Sequence, residues 1–164
     1  MTVWIQNPFD NLPSEGYRKQ RYWLMAEAFA RAGHDVVYWT SDFSHAKKTF
    51  RRLDVQAFSR LEVRLIPTLP YSKNVSLARI RSHRAYAREW MHLALESHPS
   101  SPIPHPSSPI PHPSLIITSC PTLSAALAAI GLGQMFGAKV VVDVQDAWPE
   151  TFERLAPKGF RWLA

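Results

Sequence analysis

The chain of 164 residues carries a single cysteine, Cys120, inside the apolar stretch 115–130. One thiol excludes a disulfide scaffold and fits a reducing compartment. Long hydrophobic runs are also missing. No segment reaches the roughly 18 uninterrupted apolar residues of a membrane-spanning helix. The N-terminus opens on a strand-like run, Thr2 to Gln6, rather than a basic patch before an apolar stretch, so no secretory signal is expected and the chain reads as cytoplasmic. Glycine is scarce where a dinucleotide fold needs it. The loop after that first run holds only Gly16 and lacks the GxGxxG fingerprint, which argues against a dinucleotide cofactor. No signature places a helix or an aromatic sheet on bases, so nucleic acid is not an expected partner.

Apolar material is abundant. Hydrophobic residues make up 46% of the chain, with six Trp, eight Phe and five Tyr, enough for the core of one domain spanning residues 1–164. The formal net charge is +6. That balance suits an anionic ligand or an anionic membrane surface, against the plainer reading of a basic solvated exterior.

Five runs rich in β-branched or aromatic residues predict strands: Thr2–Gln6, Asp35–Thr40, Leu61–Pro67, Ser114–Thr118 and Lys139–Val144. The runs Leu115-Ile116-Ile117 and Val140-Val141-Val142 suit strands covered on both faces, as in a parallel sheet. Helices are predicted between them. Residues 18–32 carry Trp23, Ala26, Phe29 and Ala30 at helical spacing before Gly33. Residues 76–96 carry Leu77, Ile80, Ala87, Met91 and Ala94 as the apolar face. Residues 122–136 are rich in Ala and Leu and lie between Pro121 and Gly137. The order β-α-β-β-α-β-α-β predicts an α/β fold, a Rossmann-like doubly wound parallel sheet.

Residues 98–114 differ in kind, reading HPSSPIP, HPSSPIP, then HPS. Proline at this density opposes helix and sheet and predicts an extended surface loop, lengthened by tandem duplication. His98, His105 and His112 recur within it, but metal ligands are usually fixed by surrounding structure, and no metal is expected.

In such sheets ligands bind beyond the carboxyl ends of the strands. Three polar loops leave that edge. After the first strand, Gly16 ahead of a helix would let backbone amides face an anion, with Arg18 beside it. Its plainer reading is a helix-entry glycine. After the second strand come SDFSH and then Lys47, Lys48, Arg51 and Arg52; Lys48 and Arg52 would share a face if this stretch is helical. His45 there could donate or accept a proton near neutral pH. After the fifth strand, Asp146 and Glu150 flank Trp148-Pro149, with Asp146 suited to grip substrate hydroxyls or to cap a helix. On the helix 76–96, Arg81, Arg84 and Arg88 form a basic stripe. Beside an apolar patch it would suit anionic lipid headgroups.

Three segments, EGYRKQRYWLMAEAFARAGHDVVYWTSDFSHAKK, KNVSLARIRSH and VVVDVQDAWPE, together resemble the N-terminal domain of family 4 glycosyltransferases with the GT-B fold, of the bacterial surface-polysaccharide type. The resemblance covers the chain except residues 98–114. It implies an acceptor-binding lobe that faces a second lobe holding a nucleotide-sugar donor. It places Gly16, Arg18, His45, Lys48, Asp146 and Glu150 on the acceptor side. The implied acceptor is a glycan, often linked to a polyprenyl diphosphate, which would account for the basic charge and for peripheral contact with the inner face of the plasma membrane. The donor lobe's paired-glutamate motif has no counterpart in the chain. The resemblance therefore implies a lobe inactive by itself, a donor-lobe polypeptide as partner, and no cofactor without it. A different class of role is a non-catalytic subunit that anchors such a partner to the membrane.

Overall fold

The computed structural model describes residues 1–51, 59–96 and 110–145. Its strands are β1 (Thr2–Gln6), β2 (Asp35–Ser41), β3 (Phe43–Ser44), β4 (Thr49–Phe50), β5 (Leu61–Ile66), β6 (Leu115–Cys120) and β7 (Lys139–Val144). Its helices are α1 (Arg21–Arg31), α2 (Leu77–Glu96) and α3 (Leu123–Phe136). Five strands form one parallel sheet in the order β5-β2-β1-β6-β7, and β3 pairs with β4 as a small antiparallel hairpin. The predicted Rossmann-like fold is thus observed. The strand order reverses between β1 and β6, which opens a crevice at their carboxyl ends.

Period-two alternation sends the side chains of each strand to opposite faces. Trp4, Val37, Trp39, Ile66 and Ile116 face α2 and α3 and pack with Tyr86, Trp90, Ala129 and Leu132. Val3, Ile5, Val36, Tyr38 and Ile117 face the other way, beneath Tyr22, Trp23 and Ala26 of α1. Trp4 meets Trp39 edge to face at 5.2 Å between ring centroids, the geometry the ring quadrupole favours. Gly33 and Gly137 follow α1 and α3 with positive φ, where a side chain would be strained, so both helices end where their glycines predict.

Four expectations change. The buried face of α2 is Ser82, Tyr86, Ala87, Trp90 and Ala94, whereas Leu77 and Ile80 are exposed. Two large aromatics out-compete the aliphatic stripe for the core, because each buries more apolar area. Residues 45–50 form a turn and strand rather than a helix, so Lys48 is presented by a hairpin; Arg52 lies outside the described residues. The end of the repeat is built into the core. Ile110 is buried, and the Trp4 indole donates to the Pro111 carbonyl at 3.2 Å. The copies at 98–109, with His98 and His105, lie outside the described residues, and His112 packs on Phe136. Finally, β7 is an edge strand, and its Val141, Val142 and Val144 are exposed among the described residues rather than covered on both faces.

Candidate functional site

At the end of β1, buried Asn7 bends the chain. Its side-chain oxygen accepts from the amides of Phe9 (2.7 Å) and Asp10 (3.1 Å) in an Asx turn. The bend carries Phe9 out over the carboxyl edge of the sheet. The hairpin β3–β4 rises beside it, tied by Arg51. That guanidinium donates to Thr40 Oγ1 (2.8 Å), the Ser41 carbonyl (3.0 Å) and the Asp10 carbonyl (2.6 Å), and it pairs with Glu15 at 3.4 Å. Arg51 therefore fixes the hairpin against the first loop, and Lys47 adds a bond to the Glu15 carbonyl.

The hairpin turn, the loop after β5 and the first turns of α2 converge on Phe9. The Phe9 ring lies 5.3 Å from His45 and 5.3 Å from His83. The guanidinium of Arg79 sits 5.2 Å from the same ring, and Lys48 Nζ sits 4.5 Å from the ring of Tyr71. Asn74 joins the two cations. Its side-chain oxygen accepts from Lys48 Nζ (2.7 Å), and its carbonyl accepts from Arg79 Nη1 (2.8 Å). Lys48 adopts φ 55, the one positive φ outside glycine among the described residues. Such a conformation costs about 1 kcal/mol or more, and here it delivers the lysine to the cluster.

Protonation follows from who can donate. Lys48 Nζ approaches His45 Nδ1 at 3.4 Å and the Tyr71 hydroxyl lies 2.6 Å from it; an ammonium can only donate, so Nδ1 accepts. Arg79 Nε donates to His83 Nε2 at 3.3 Å, so that nitrogen also accepts. Both imidazoles are thereby held neutral. Burial, then Lys48 and Arg79, push His45 down to about 4; burial, then Arg79 and His45, push His83 down to about 4. Burial and Arg79 lower Lys48, while burial raises Tyr71. Among the described residues, neither Lys48 nor Arg79 has a carboxylate partner, so the cluster is a concentration of uncompensated positive charge.

Of the residues singled out from sequence, His45 and Lys48 lie within this cluster. Gly16 does not open α1. It follows a short 3-10 turn, Pro13–Glu15, at φ 83, and its amide bonds the Pro13 carbonyl. Arg18 is exposed on the same loop. Asp146 and Glu150 lie outside the described residues. Arg81, Arg84 and Arg88 are exposed along α2. Phe9, Tyr71, Asn74, Arg79 and His83 were not singled out. Arg79 and His83 stand four apart, which is the signal that puts them on one helix face.

A groove of about 580 Å³ between the first halves of α2 and α3 opens directly beside the cluster. Val75, Leu77, Ile80, Leu123 and Leu127 give it an apolar wall, and Arg84 stands at its rim. Asn74, Arg79 and His83 line it as well, so cluster and groove are continuous. Of the basic stripe of α2, Arg84 borders this apolar patch.

No protein-family model matches the chain, and no curated protein matches it. Among the described residues, no helix is long and apolar enough to cross a membrane, and no three His, Cys, Asp or Glu side chains are grouped to hold a metal ion.

Proposed function

We propose that the chain is the acceptor-binding lobe of a two-lobed glycosyltransferase of family 4, taking a glycan acceptor linked to a lipid diphosphate. The observation that carries this reading is the continuity of a basic cluster with an apolar groove through Asn74, Arg79 and His83. A lipid-linked sugar presents matching chemistry, an anionic diphosphate next to a hydrocarbon chain. Position supports it too, since both features stand at the carboxyl edge of a sheet with Rossmann-like order, where ligands of such folds bind. The resemblance of three sequence segments to this family points the same way.

In this reading the lobe supplies orientation rather than bond-making. It fixes the diphosphate, leaves the sugar hydroxyl at the open edge, and presents it to a donor held on another lobe. Arg18, Asp146 and Glu150 would address the glycan. Arg81, Arg84 and Arg88, with the exposed Leu77 and Ile80, would rest the lobe against an anionic bilayer.

The test is co-sedimentation with neutral vesicles, with and without a polyprenyl-diphosphate sugar. Recovery of the chain only with the loaded vesicles is expected. Equal recovery with both, or tight stoichiometric binding of a nucleotide sugar by calorimetry, would overturn the reading.

A further inference from the structure

We propose that Lys48, Arg79, His45 and His83 form a phosphate-binding site that takes up protons as it fills. The inference stands on the cluster itself and holds whether or not the chain serves glycosyl transfer.

Two cations meet around Asn74 without a carboxylate between them among the described residues, and each is spent partly on an imidazole. Lys48 reaches His45 only at 3.4 Å and Arg79 reaches His83 at 3.3 Å, both long for charged donors. A phosphate offers several acceptor oxygens and full negative charge, so it would draw the ammonium and guanidinium onto itself. That frees His83 Nε2 and leaves His45 Nδ1 with the Tyr71 hydroxyl alone, which can turn from donor to acceptor, so both nitrogens can take up protons. It also cancels the positive field that, with burial, keeps both rings neutral. Each ring can then become an imidazolium, His83 donating to the bound anion from Nε2 and His45 adding its positive charge while its Nδ1 donates to Tyr71. Among the described residues, the charged and titratable groups facing the two rings are Lys48, Arg79 and Tyr71, together with the rings themselves. The Tyr71 hydroxyl stays protonated because burial raises it. The left-handed backbone at Lys48 fits this role, since strain of this kind persists where it positions a functional group.

Phosphate of this kind comes from two sources, a free diphosphate or the head of a lipid. The experiment separates them. Calorimetry on the full chain with inorganic pyrophosphate at low salt should give one site. Lys48→Gln with Arg79→Gln should weaken it at least about tenfold. Lys139→Gln with Arg60→Gln, the same charge loss at the opposite edge of the sheet, should bind like the parent. Sulfate, which does not titrate in the window, should bind at least about fivefold more tightly at pH 5.5 than at pH 7.5. The variant with both His45→Gln and His83→Gln should lose that dependence. Proton uptake by the parent, read from titrations in two buffers of different ionisation heat, needs no variant and guards against misfolding.

Absent pyrophosphate binding, unchanged binding in the Lys48/Arg79 variant, or no proton uptake each overturns the site. Geranyl diphosphate binding more tightly than pyrophosphate supports the site and names a lipid head as its source. Equal binding supports the site, assigns it to free phosphate, and removes the lipid-acceptor reading alone.

Discussion

Truncating Ile110 to alanine asks whether the last turn of a proline-rich repeat is decoration or core. Ile110 is 4% exposed, within the cluster that holds Trp4, Trp39, Trp90 and Leu132. The change removes about three methylene-sized groups, roughly 2.4 kcal/mol at about 0.8 kcal/mol each. Aromatic neighbours that cannot collapse inward leave a cavity, and the two terms together give a loss of about 3 to 4 kcal/mol. Urea denaturation followed by tryptophan fluorescence reads this directly, because Trp4 and Trp39 share the cluster. The midpoint should fall while the slope stays constant. The companion variant deletes residues 98–104, one copy of HPSSPIP, and keeps Ile110 with its flanks. Closure entropy changes slowly with loop length, so stability should stay within about 0.5 kcal/mol of the parent. A loss below about 1 kcal/mol for Ile110→Ala would refute the assignment of that residue to the core.

Three further outcomes are expected. A Cβ at Gly133 would overlap the Val140 side chain where α3 crosses β7, so Gly133→Ala should destabilise by about 1 to 2 kcal/mol despite alanine's better helix propensity, as read by thermal melting. Burial alone would raise the Glu27 carboxyl, but Lys19, the Trp23 indole and Arg31 converge on it and hold its pKa low; Glu27→Ala should cost about 1 to 3 kcal/mol at neutral pH, and the difference from the parent should shrink as pH falls below the usual carboxylate range. For His83 the sign is the same, in a higher pH window. Its folded pKa of about 4 lies below the ordinary 6.5, so the unfolded chain binds the extra proton and stability is lost as pH falls from 6.5 towards 4; His83→Gln should flatten that part of a stability-against-pH curve.

The sheet was legible because its evidence is local. Val36-Val37-Tyr38-Trp39 and Leu115-Ile116-Ile117 read as strands from β-branched and aromatic content alone, and Gly33 and Gly137 marked helix ends through a backbone need that glycine meets. The phase of α2 was not legible. Leu77 and Ile80 read as core by hydropathy, yet the choice of face was made by Tyr86 and Trp90 packing on Trp39, a contact between residues far apart in the chain. The site divides in the same way. His45 and Lys48 were visible as polar residues leaving a strand's carboxyl end. Tyr71 sits in a loop without periodicity, and Arg79 and His83 looked like part of a wet helix surface until the fold set Phe9 against both imidazoles.

The division of the core into two faces also sets a schedule for synthesis. The three strands β1, β2 and β5 and the helix α1 are all complete by Ile66, so one face of the sheet can close as soon as that segment leaves the ribosome. The opposite face carries Trp4, Val37, Trp39 and Ile66, and its cover comes from Tyr86, Trp90, Ile110 and Leu132. A nascent chain therefore carries a tryptophan-rich surface whose cover stays incomplete through the making of some 66 further residues, roughly 3 to 13 seconds at ordinary translation rates. Every residue added between α2 and β6 lengthens that exposure, so the tandem repeat taxes the vulnerable period of folding even where it leaves the finished fold untouched.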